Sequence, residues 1–329
     1  MRAIQVNRFG GPDVLEVVEL PTPEPRPGEV LIRVHAAGIN FFEVLMRGDR
    51  YAVTPQLPMI PGVEAAGTVE ALGQGVDARL LGTRVAAPLF VSKRAFGGYA
   101  DHVTIDADLA VPLPDALPFE DATALMVQGL TALHLLRQGP PDGKSVLVPA
   151  AAGGVGSLLI QLARLKGASQ VIAAAGGKAK LDFALFLGAD AAIDYSQPDW
   201  PAHVRDITGG EGVDIIYDTV GGALTAASLQ AVAPGGELVF AALGRFALAA
   251  SDLEEMIGRN QSLRGFALLP LLSGDALRAG LSELFALATN GRLRVAIGCR
   301  FPLDRAGEAH RLMDERRSTG KVVLMPAVD

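Results

Sequence analysis

The sequence Ser145-Val146-Leu147-Val148-Pro149-Ala150-Ala151-Ala152-Gly153-Gly154-Val155-Gly156 passes from a short apolar run into a turn of small residues. The run has the length and the β-branched content of a strand buried in a parallel sheet. From Leu158 to Leu165, apolar residues recur at helical spacing. The stretch therefore predicts a strand, a tight turn and a helix in direct succession.

The turn has the composition of a dinucleotide-binding site. In such a site, one Gly lets the backbone approach a pyrophosphate and a later Gly lets the helix pack on the strand. The phosphates would bind N–H groups at the helix start, where the helix dipole favours negative charge. An ordinary strand–helix connection is the alternative for the turn taken alone. The small first residue is Ala151, and the predicted cofactor contacts are Ala152, Gly153, Gly154, Val155 and Gly156.

Strand and helix patterns alternate after this turn. Strand patterns cover residues 170–175, 191–195, 213–220 and 237–243, with a further candidate at 263–268, and helical patterns cover 178–187, 200–207 and 223–232. This alternation predicts an α/β fold with a doubly wound parallel sheet. Ligands bind at the carboxyl ends of such strands, which favours the dinucleotide interpretation and places Thr219 and Ala241 at the same edge.

The end of the second strand distinguishes between the two nicotinamide cofactors. NAD sites usually carry an acidic residue about twenty residues past the turn, to bind the ribose 2′-hydroxyl. Residues 173–180 contain no carboxylate, whereas Lys178 and Lys180 can meet a 2′-phosphate and Gly176 leaves room for it. The alternative is that these lysines only solvate a helix start, where cations oppose the dipole. The pattern favours NADPH.

Composition limits the class of protein. The chain has 329 residues, a net charge of −7, 50% hydrophobic residues and one cysteine. This length suits two domains, and the negative charge gives no reason to expect a nucleic-acid partner. Without a signal peptide or a long apolar run, we expect a cytoplasmic protein with no membrane span. A single cysteine excludes an intramolecular disulfide and a cysteine-built zinc cluster.

The two ends of the chain differ from its middle. Short β-like runs at 14–20, 29–36, 64–72, 84–87 and 98–104, separated by Pro- and Gly-rich segments, predict a small barrel or sandwich. Helical patterns follow at 118–137, 275–289 and 303–317, and residues 321–325 predict a closing strand that returns to the first domain. The predicted domain ranges are 1–121, 122–268 and 269–329.

Motifs spread over essentially the whole chain carry a family resemblance. They are Ala37-Gly38-Ile39-Asn40-Phe41, Pro61-Gly62-Val63-Glu64-Ala65-Ala66-Gly67, Gly97-Gly98-Tyr99-Ala100, Gln128-Gly129-Leu130-Thr131-Ala132, the turn itself, Tyr217-Asp218-Thr219-Val220-Gly221-Gly222, Glu308-Ala309-His310-Arg311 and Thr319-Gly320-Lys321. Together they resemble the zinc-independent, zeta-crystallin-like quinone oxidoreductases of the medium-chain dehydrogenase/reductase superfamily. The resemblance implies a GroES-like β-barrel catalytic domain in two parts, a Rossmann domain between them, and NADPH bound together with the substrate in the cleft between the domains.

The resemblance also bears on metal content. Relatives that use catalytic zinc have Cys where Asn40 stands and His where Val63 stands, and a cysteine-rich lobe after Ala87 is missing. Zinc requires such thiolate or imidazole ligands, so we predict a metal-free site. Glu64 is then a structural residue rather than a ligand.

Two catalytic residues follow from the resemblance. It implies that Asn40 lies beside the nicotinamide, where an amide can orient a carbonyl; the alternative is an Asn that holds a loop. Tyr51 resembles the proton donor of related 2-enoyl thioester reductases, or is an ordinary loop aromatic. Leu45 stands where the family has a second pocket Tyr.

Further cofactor contacts are implied in the same way. Thr131 matches a residue near the nicotinamide ribose, and Lys180 and Tyr195 match residues that hold the 2′-phosphate. Arg316 or Arg317 would contact the cofactor, although an exposed helix end explains two arginines equally well.

These inferences predict an NADPH-dependent reductase that transfers hydride to a quinone or an enone. The alternatives are a 2-enoyl thioester reductase, a zinc alcohol dehydrogenase, which Asn40 and Val63 disfavour, and a non-catalytic NADPH-binding protein. The edge segment 263–268 predicts a homodimer.

Overall fold

The computed structural model describes residues 1–326, and the chain divides into two compact units. Met1–Leu130 and the chain from Leu272 onwards form the first unit, and Thr131–Leu271 form the second. The limits set from the sequence, after residues 121 and 268, fall a few residues before these divisions. As domain limits they stay predictions.

Most of the described chain lies in regular elements. The strands are β1 (Arg2–Val6), β2 (Leu15–Glu19), β3 (Glu29–Ile39), β4 (Ala65–Leu72), β5 (Arg84–Ala87), β6 (His102–Asp106), β7 (Val111–Pro112), β8 (Ser145–Pro149), β9 (Gln170–Ala175), β10 (Ala191–Asp194), β11 (Val213–Asp218), β12 (Val232–Phe240), β13 (Ser262–Gly265), β14 (Ile297–Pro302) and β15 (Lys321–Met325). The helices are α1 (Phe41–Arg47), α2 (Phe119–Ala124), α3 (Leu130–Gln138), α4 (Gly154–Leu165), α5 (Lys178–Phe186), α6 (Trp200–Ile207), α7 (Ala223–Leu229), α8 (Ala250–Gly258), α9 (Gly274–Thr289) and α10 (Ala306–Asp314). A π-helical turn, Leu125–Gly129, connects α2 to α3.

The second unit is built on one parallel sheet. Its strands lie in the order β10-β9-β8-β11-β12-β13, and every neighbouring pair is parallel. Numbered within the unit, this is the order 3-2-1-4-5-6 of a doubly wound sheet, whose ligand crevice lies where the order reverses, here between β8 and β11. The predicted doubly wound α/β sheet is confirmed, and so is its sixth strand.

Burial on both faces explains the apolar character of β8. Val146, Leu147 and Val148 are fully buried, and so are Leu159 and Leu162 of α4. Because α4 also contacts β8 and β9, the strand, the turn and the helix pack as one piece. The turn is thereby held at the carboxyl edge of the sheet.

Several elements of this unit differ from the sequence predictions, among them the strand predicted at 237–243, which is Val232–Phe240. The helix predicted at 223–232 ends at Leu229, because Val232 pairs with Val213 and begins β12. The sequence does not predict α8, which buries Met256 alone and so lacks a wide apolar face.

The first unit is mostly antiparallel. Its sheet has the order β14-β15-β3-β4-β5-β7, with β6 paired to β3 beside this path, and β1 pairs with β2. β15 pairs antiparallel with β3, which confirms that the last strand returns to the first unit. Short strands joined by Pro- and Gly-rich segments are the pattern that the sequence predicts here.

Several elements of this unit correct the sequence predictions, which also omit β1 and β7. The strand predicted at 98–104 begins at His102 and extends to Asp106. The sequence does not predict α1, because residues 43–47 are buried in succession and show no amphipathic period. It does not predict β14 either, whose pairing depends on β15 more than twenty residues later.

Candidate cofactor and active site

Backbone hydrogen bonds fix the turn between β8 and α4. Ala150 lies in the left-handed region with φ +49°, and the Gly153 N–H donates to the Ala150 carbonyl at 2.8 Å. Ser157 N is the first N–H of α4 that reaches a carbonyl four residues earlier, that of Gly153 at 2.9 Å. The helical N–H groups before Ser157 have no acceptor within the helix. An anion is the partner that such a helix start favours.

The two fingerprint glycines have different surroundings. A Cβ on Gly156 would lie 2.4 Å from the Ala150 oxygen and 2.7 Å from Ala151 Cα, so only Gly allows α4 to pack this closely. A Cβ on Gly153 would meet only the Ala150 oxygen within 4 Å, at 3.2 Å. Gly156 therefore serves the packing of the helix, whereas the space beside Gly153 remains open to a ligand.

The end of β9 lies beside the end of β10. A Cβ on Gly176 would lie 3.8 Å from a ring carbon of Tyr195, and Lys180 lies in the first turn of α5. The structure thus brings Gly176 and Tyr195 together, with Lys180 on the helix that follows Gly177.

The sequence prediction missed a carboxylate at this place. Asp194 is paired in register with Ala175, and its Oδ2 accepts from the Gly177 N–H at 3.2 Å. Its Oδ1 accepts from the hydroxyl and the backbone N–H of Ser196, bonds that lower the pKa of Asp194. The parallel register of β9 and β10 would have placed Asp194 beside the end of β9.

Asp218 shapes the loop that carries Thr219. Its Oδ1 accepts from the N–H groups of Val220 and Gly221 at 2.8 and 2.9 Å, and its Oδ2 accepts from Thr225 Oγ1 at 2.6 Å. Ala241 N donates to the Asp218 carbonyl at 2.8 Å. Thr219 and Ala241 therefore lie at the carboxyl edge of the sheet, next to the turn.

The other two predicted cofactor residues lie away from this edge in the chain. Thr131 is the second residue of α3, and Arg316 follows α10 in the first unit, in the left-handed region with φ +54°. Their cofactor contacts, like those of the turn residues, Gly176, Lys180, Tyr195, Thr219 and Ala241, stay predictions.

The first unit contains a buried cluster of one amide, two carboxylates and one ammonium group: Asn40, Glu43, Glu64 and Lys321 (the Asn40 cluster). Asn40 Nδ2 donates to Glu64 Oε1 at 2.9 Å and to Glu43 Oε2 at 3.2 Å. Asn40 Oδ1 accepts from Lys321 Nζ at 2.9 Å, and Nζ also donates to Glu64. Both amide hydrogens of Asn40 are therefore used within the chain.

Backbone groups complete the bonding of the two carboxylates. Glu64 Oε2 accepts from Val127 N at 2.8 Å, Glu43 Oε1 accepts from Gly62 N at 3.0 Å, and Glu43 Oε2 accepts from Asn40 N at 2.7 Å. Burial, and then the neighbouring Glu64, raise the pKa of Glu43 to about 7. Two carboxylates that share one ammonium group in a buried space explain this direction.

Sequence reasoning identified Asn40 and took Glu64 as structural, but it missed Glu43 and Lys321. The sequence feature that could have identified Lys321 is its position as the first residue of β15, which is otherwise apolar. A second sequence feature is Gly38, because a glycine inside a strand marks the close approach of another group. Here that group is Lys321, whose Cε would lie 2.6 Å from a Cβ on Gly38. The Asn40 side chain holds this cluster together, and its predicted contact with a substrate carbonyl stays a prediction.

Tyr51 lies in the first unit after α1. Its ring stacks on Phe42 with centroids 5.5 Å apart, and burial raises its pKa above the usual value. The phenol therefore keeps its proton at neutral pH, as a proton donor requires. Its catalytic role stays a prediction.

Two features are absent from residues 1–326. No three side chains of His, Cys, Asp or Glu in that range are grouped so as to hold a metal ion. None of the helices in it has the length and apolar character needed to cross a bilayer.

Two family models match the chain. The alcohol dehydrogenase GroES-like domain matches residues 26–115, and the zinc-binding dehydrogenase model matches residues 187–324. A probable quinone oxidoreductase from Schizosaccharomyces pombe is 36% identical over 326 residues, which cover 98% of this chain and 96% of the relative. The chain belongs to the quinone oxidoreductase family of the medium-chain dehydrogenase/reductase superfamily.

Two further relatives describe the breadth of the family. The crystal structure of Escherichia coli quinone oxidoreductase complexed with NADPH matches this oxidoreductase with a TM-score of 0.90 at 32% identity, over 99% of this chain and all of that one. A 2-haloacrylate reductase from Burkholderia sp. is 33% identical, with 98% of both chains covered. These matches confirm the GroES-like and Rossmann folds predicted for the two units.

Proposed function

We propose that this oxidoreductase uses NADPH to reduce a quinone or another conjugated carbonyl compound. The observation that carries the proposal is the glycine turn at the reversal of the sheet order, with helical N–H groups that lack acceptors in their helix. The NADPH complex of the E. coli relative supports the choice of cofactor. So does Lys180 on the helix after Gly177.

The residues of the second unit bind and orient the cofactor in this proposal. The turn holds the pyrophosphate, Lys180 and Tyr195 hold the 2′-phosphate, and the loop fixed by Asp218 presents Thr219. When bound, NADPH supplies the hydride. Asp194 is bonded to Ser196 and Gly177 at the same edge of the sheet.

The residues of the first unit act on the acceptor. Reduction of a conjugated carbonyl places negative charge on its oxygen, which a hydrogen-bond donor stabilises. Tyr51, whose phenol is protonated at neutral pH, is the proposed source of the proton, with water as the other source. We also propose that the reaction needs no zinc, because Asn40 and Val63 replace the Cys and His ligands of zinc-dependent relatives.

An assay of purified protein tests this function. NADPH oxidation is followed with 1,4-naphthoquinone, an enone, crotonyl-CoA and 2-chloroacrylate, and NADP⁺ reduction is followed with an alcohol. The zinc content of the same sample is also determined. We expect turnover with the quinone or the enone and less than one zinc per ten chains. Turnover confined to crotonyl-CoA or the haloacrylate would reassign the substrate. Stoichiometric zinc with alcohol oxidation would overturn the proposal, and tight NADPH binding without turnover would favour a non-catalytic protein.

The second unit also supports a homodimer. β13 is the edge strand of its sheet, and Leu253 and Ile257 of α8 are exposed, Ile257 by 77%. An unpaired strand edge beside exposed apolar side chains favours pairing with a second copy. Sedimentation should show a dimer that Ile257→Asp weakens; a monomeric wild-type protein would contradict this.

A further inference from the structure

The amide of Gln128 is buried and makes no hydrogen bond in the described chain. The residue is 8% exposed, and its Oε1 is enclosed without a partner. Nε2 is not among the enclosed atoms, and no donor or acceptor of residues 1–326 is bonded to it. Nε2 is therefore accessible, and both of its hydrogens are available to a partner outside the described chain.

Gln128 follows a residue whose backbone is hydrogen-bonded to the Asn40 cluster. It is part of the π-helical turn Leu125–Gly129, and the preceding residue, Val127, donates its N–H to Glu64 Oε2 at 2.8 Å. Glu64 in turn accepts from the Asn40 amide. Turns of this type occur often at functional sites, since they displace a residue from the regular helical position.

The backbone at Gln128 is held firmly. Val127 is fixed by Glu64, and a Cβ on Gly129 would lie 3.0 Å from Leu284 Cδ1 of α9, so that α9 packs directly on the turn. The packed backbone therefore holds the Cα–Cβ bond of Gln128 in a defined direction.

A comparison of the two amides decides between them. Both Nδ2 hydrogens of Asn40 are donated to Glu43 and Glu64, and its Oδ1 already accepts from Lys321. Asn40 thus has no hydrogen to give to a substrate oxygen, whereas Gln128 has two. The sequence-based expectation assigned carbonyl recognition to Asn40, but the hydrogen-bond inventory favours Gln128.

We propose that the Gln128 amide donates a hydrogen bond from Nε2 to the carbonyl oxygen of the acceptor. This inference rests on the proposed function. Hydride transfer brings two electrons to the acceptor carbon, the carbonyl π electrons move to oxygen, and a proton from Tyr51 or water completes the product. Gln128 exchanges no proton; it stabilises the negative oxygen while the charge develops.

Three variants test the proposal with NADPH and whichever acceptor the wild-type protein reduces best. Gln128→Met keeps the length of the side chain and removes its hydrogen bonds. We expect kcat/KM for the acceptor to fall 10- to 100-fold, with an unchanged Kd for NADPH and an unchanged or higher melting temperature. Gln128→Asn keeps an amide and should retain more activity than Gln128→Met. Gln138→Met is the matched control, because Gln138 Oε1 is likewise enclosed without a partner, and it should behave as the wild type.

Gln128→Glu provides a readout that a structural role would not move. An ionised carboxylate cannot donate, whereas a protonated one can. Its activity relative to wild type should therefore rise as the pH falls, and this variant serves also if Gln128→Met does not fold. Wild-type kcat/KM in Gln128→Met, a pH-independent ratio in Gln128→Glu, or an equal loss of NADPH affinity would overturn the inference alone. A wild-type protein that reduces no acceptor would overturn the proposed function, and the inference with it.

Discussion

The glycine turn of the second unit and the Asn40 cluster of the first unit satisfy their polar groups in opposite ways. In the turn, the backbone N–H groups at the start of α4 have no acceptor within the helix. In the cluster, each carboxylate oxygen and both Asn40 amide hydrogens have a partner within 3.2 Å, although two acids and a lysine are buried together. The comparison teaches that charge density alone does not mark a ligand site; unsatisfied donors that face open space, as beside Gly153, do.

The difference follows from where the groups come from. The donors of the turn belong to one continuous stretch, and their exposure is a property of every helix start. The groups of the cluster come from β3, α1, the segment before β4, and β15, and they are matched to one another. A closed network of this kind stabilises the unit only while it is complete.

Removal of the Lys321 ammonium group should destabilise the Asn40 cluster more than any other single substitution in it. Lys321→Met leaves Glu43 and Glu64 buried without a cation, and we expect a loss of about 3–5 kcal/mol in the free energy of unfolding. Chemical denaturation measures it. The exposed Lys144 supplies the control, since Lys144→Met should change stability by less than about 0.5 kcal/mol. Equal effects of the two variants would show that the cluster is not the closed unit described above.

Blocking the open region should spare the fold and abolish ligand binding. Gly153→Val fills the space beside the helix start, and we expect the Kd for NADPH to rise at least about 100-fold, since the pyrophosphate contacts are charge-assisted. The melting temperature should stay close to that of the wild type. Gly156→Ala should instead lower the melting temperature, because its Cβ would lie 2.4 Å from the Ala150 oxygen. Retained NADPH affinity in Gly153→Val would contradict the role of the turn.

The raised pKa of Glu43 gives the cluster a pH dependence. The pKa is about 7 in the folded state against 4.5 as the ordinary value, so the folded protein binds the extra proton between these pH values. Stability should therefore fall by on the order of 3 kcal/mol as the pH rises from 4.5 to 7, and not change further from this group above 7. Denaturation of wild type and Glu43→Gln at several pH values isolates this slope, which the variant should lack. Glu19→Gln, at an exposed position of β2, should retain it; a slope unchanged in Glu43→Gln would assign the proton elsewhere.

The smallest expected effect concerns the choice between the two cofactors. Lys180→Ala should lower the preference for NADPH over NADH by about 10- to 100-fold, the range of one hydrogen bond to a charged group. Lys178 is the matched control, because it is paired with Asp182 at 2.9 Å on the same helix, and Lys178→Ala should have the smaller effect. Steady-state kinetics with both cofactors measure the ratio. Equal effects of the two substitutions would remove the 2′-phosphate assignment of Lys180.

The same contrast explains what the sequence could predict. The turn, the strands and their alternation with helices are local patterns of the sequence. The small residues from Ala150 to Gly156 indicate the turn directly. The Asn40 cluster joins residues up to 281 positions apart, as in the Lys321–Asn40 hydrogen bond, and no periodicity connects such positions. Sequence reasoning therefore found Asn40 but not its partners Glu43 and Lys321.

Local patterns also failed where burial is complete. α1 was missed because five successive residues, 43–47, are buried, and the amphipathic period disappears. Gln128 was noted only as part of a motif, since an unpaired amide is visible only once every neighbouring donor and acceptor is placed. Asp194 was missed because its position depends on the register of β10 against β9.

The return of β15 to β3 has a consequence for synthesis on the ribosome. Glu64 leaves the exit tunnel long before Lys321, which lies 257 residues later, and the intervening chain includes the whole second unit. The Rossmann sheet can close by itself while the nascent barrel still carries an uncompensated pair of acids. The order of translation therefore lets the second unit fold first. The first 130 residues complete their fold only when β15 brings Lys321 to Glu43 and Glu64.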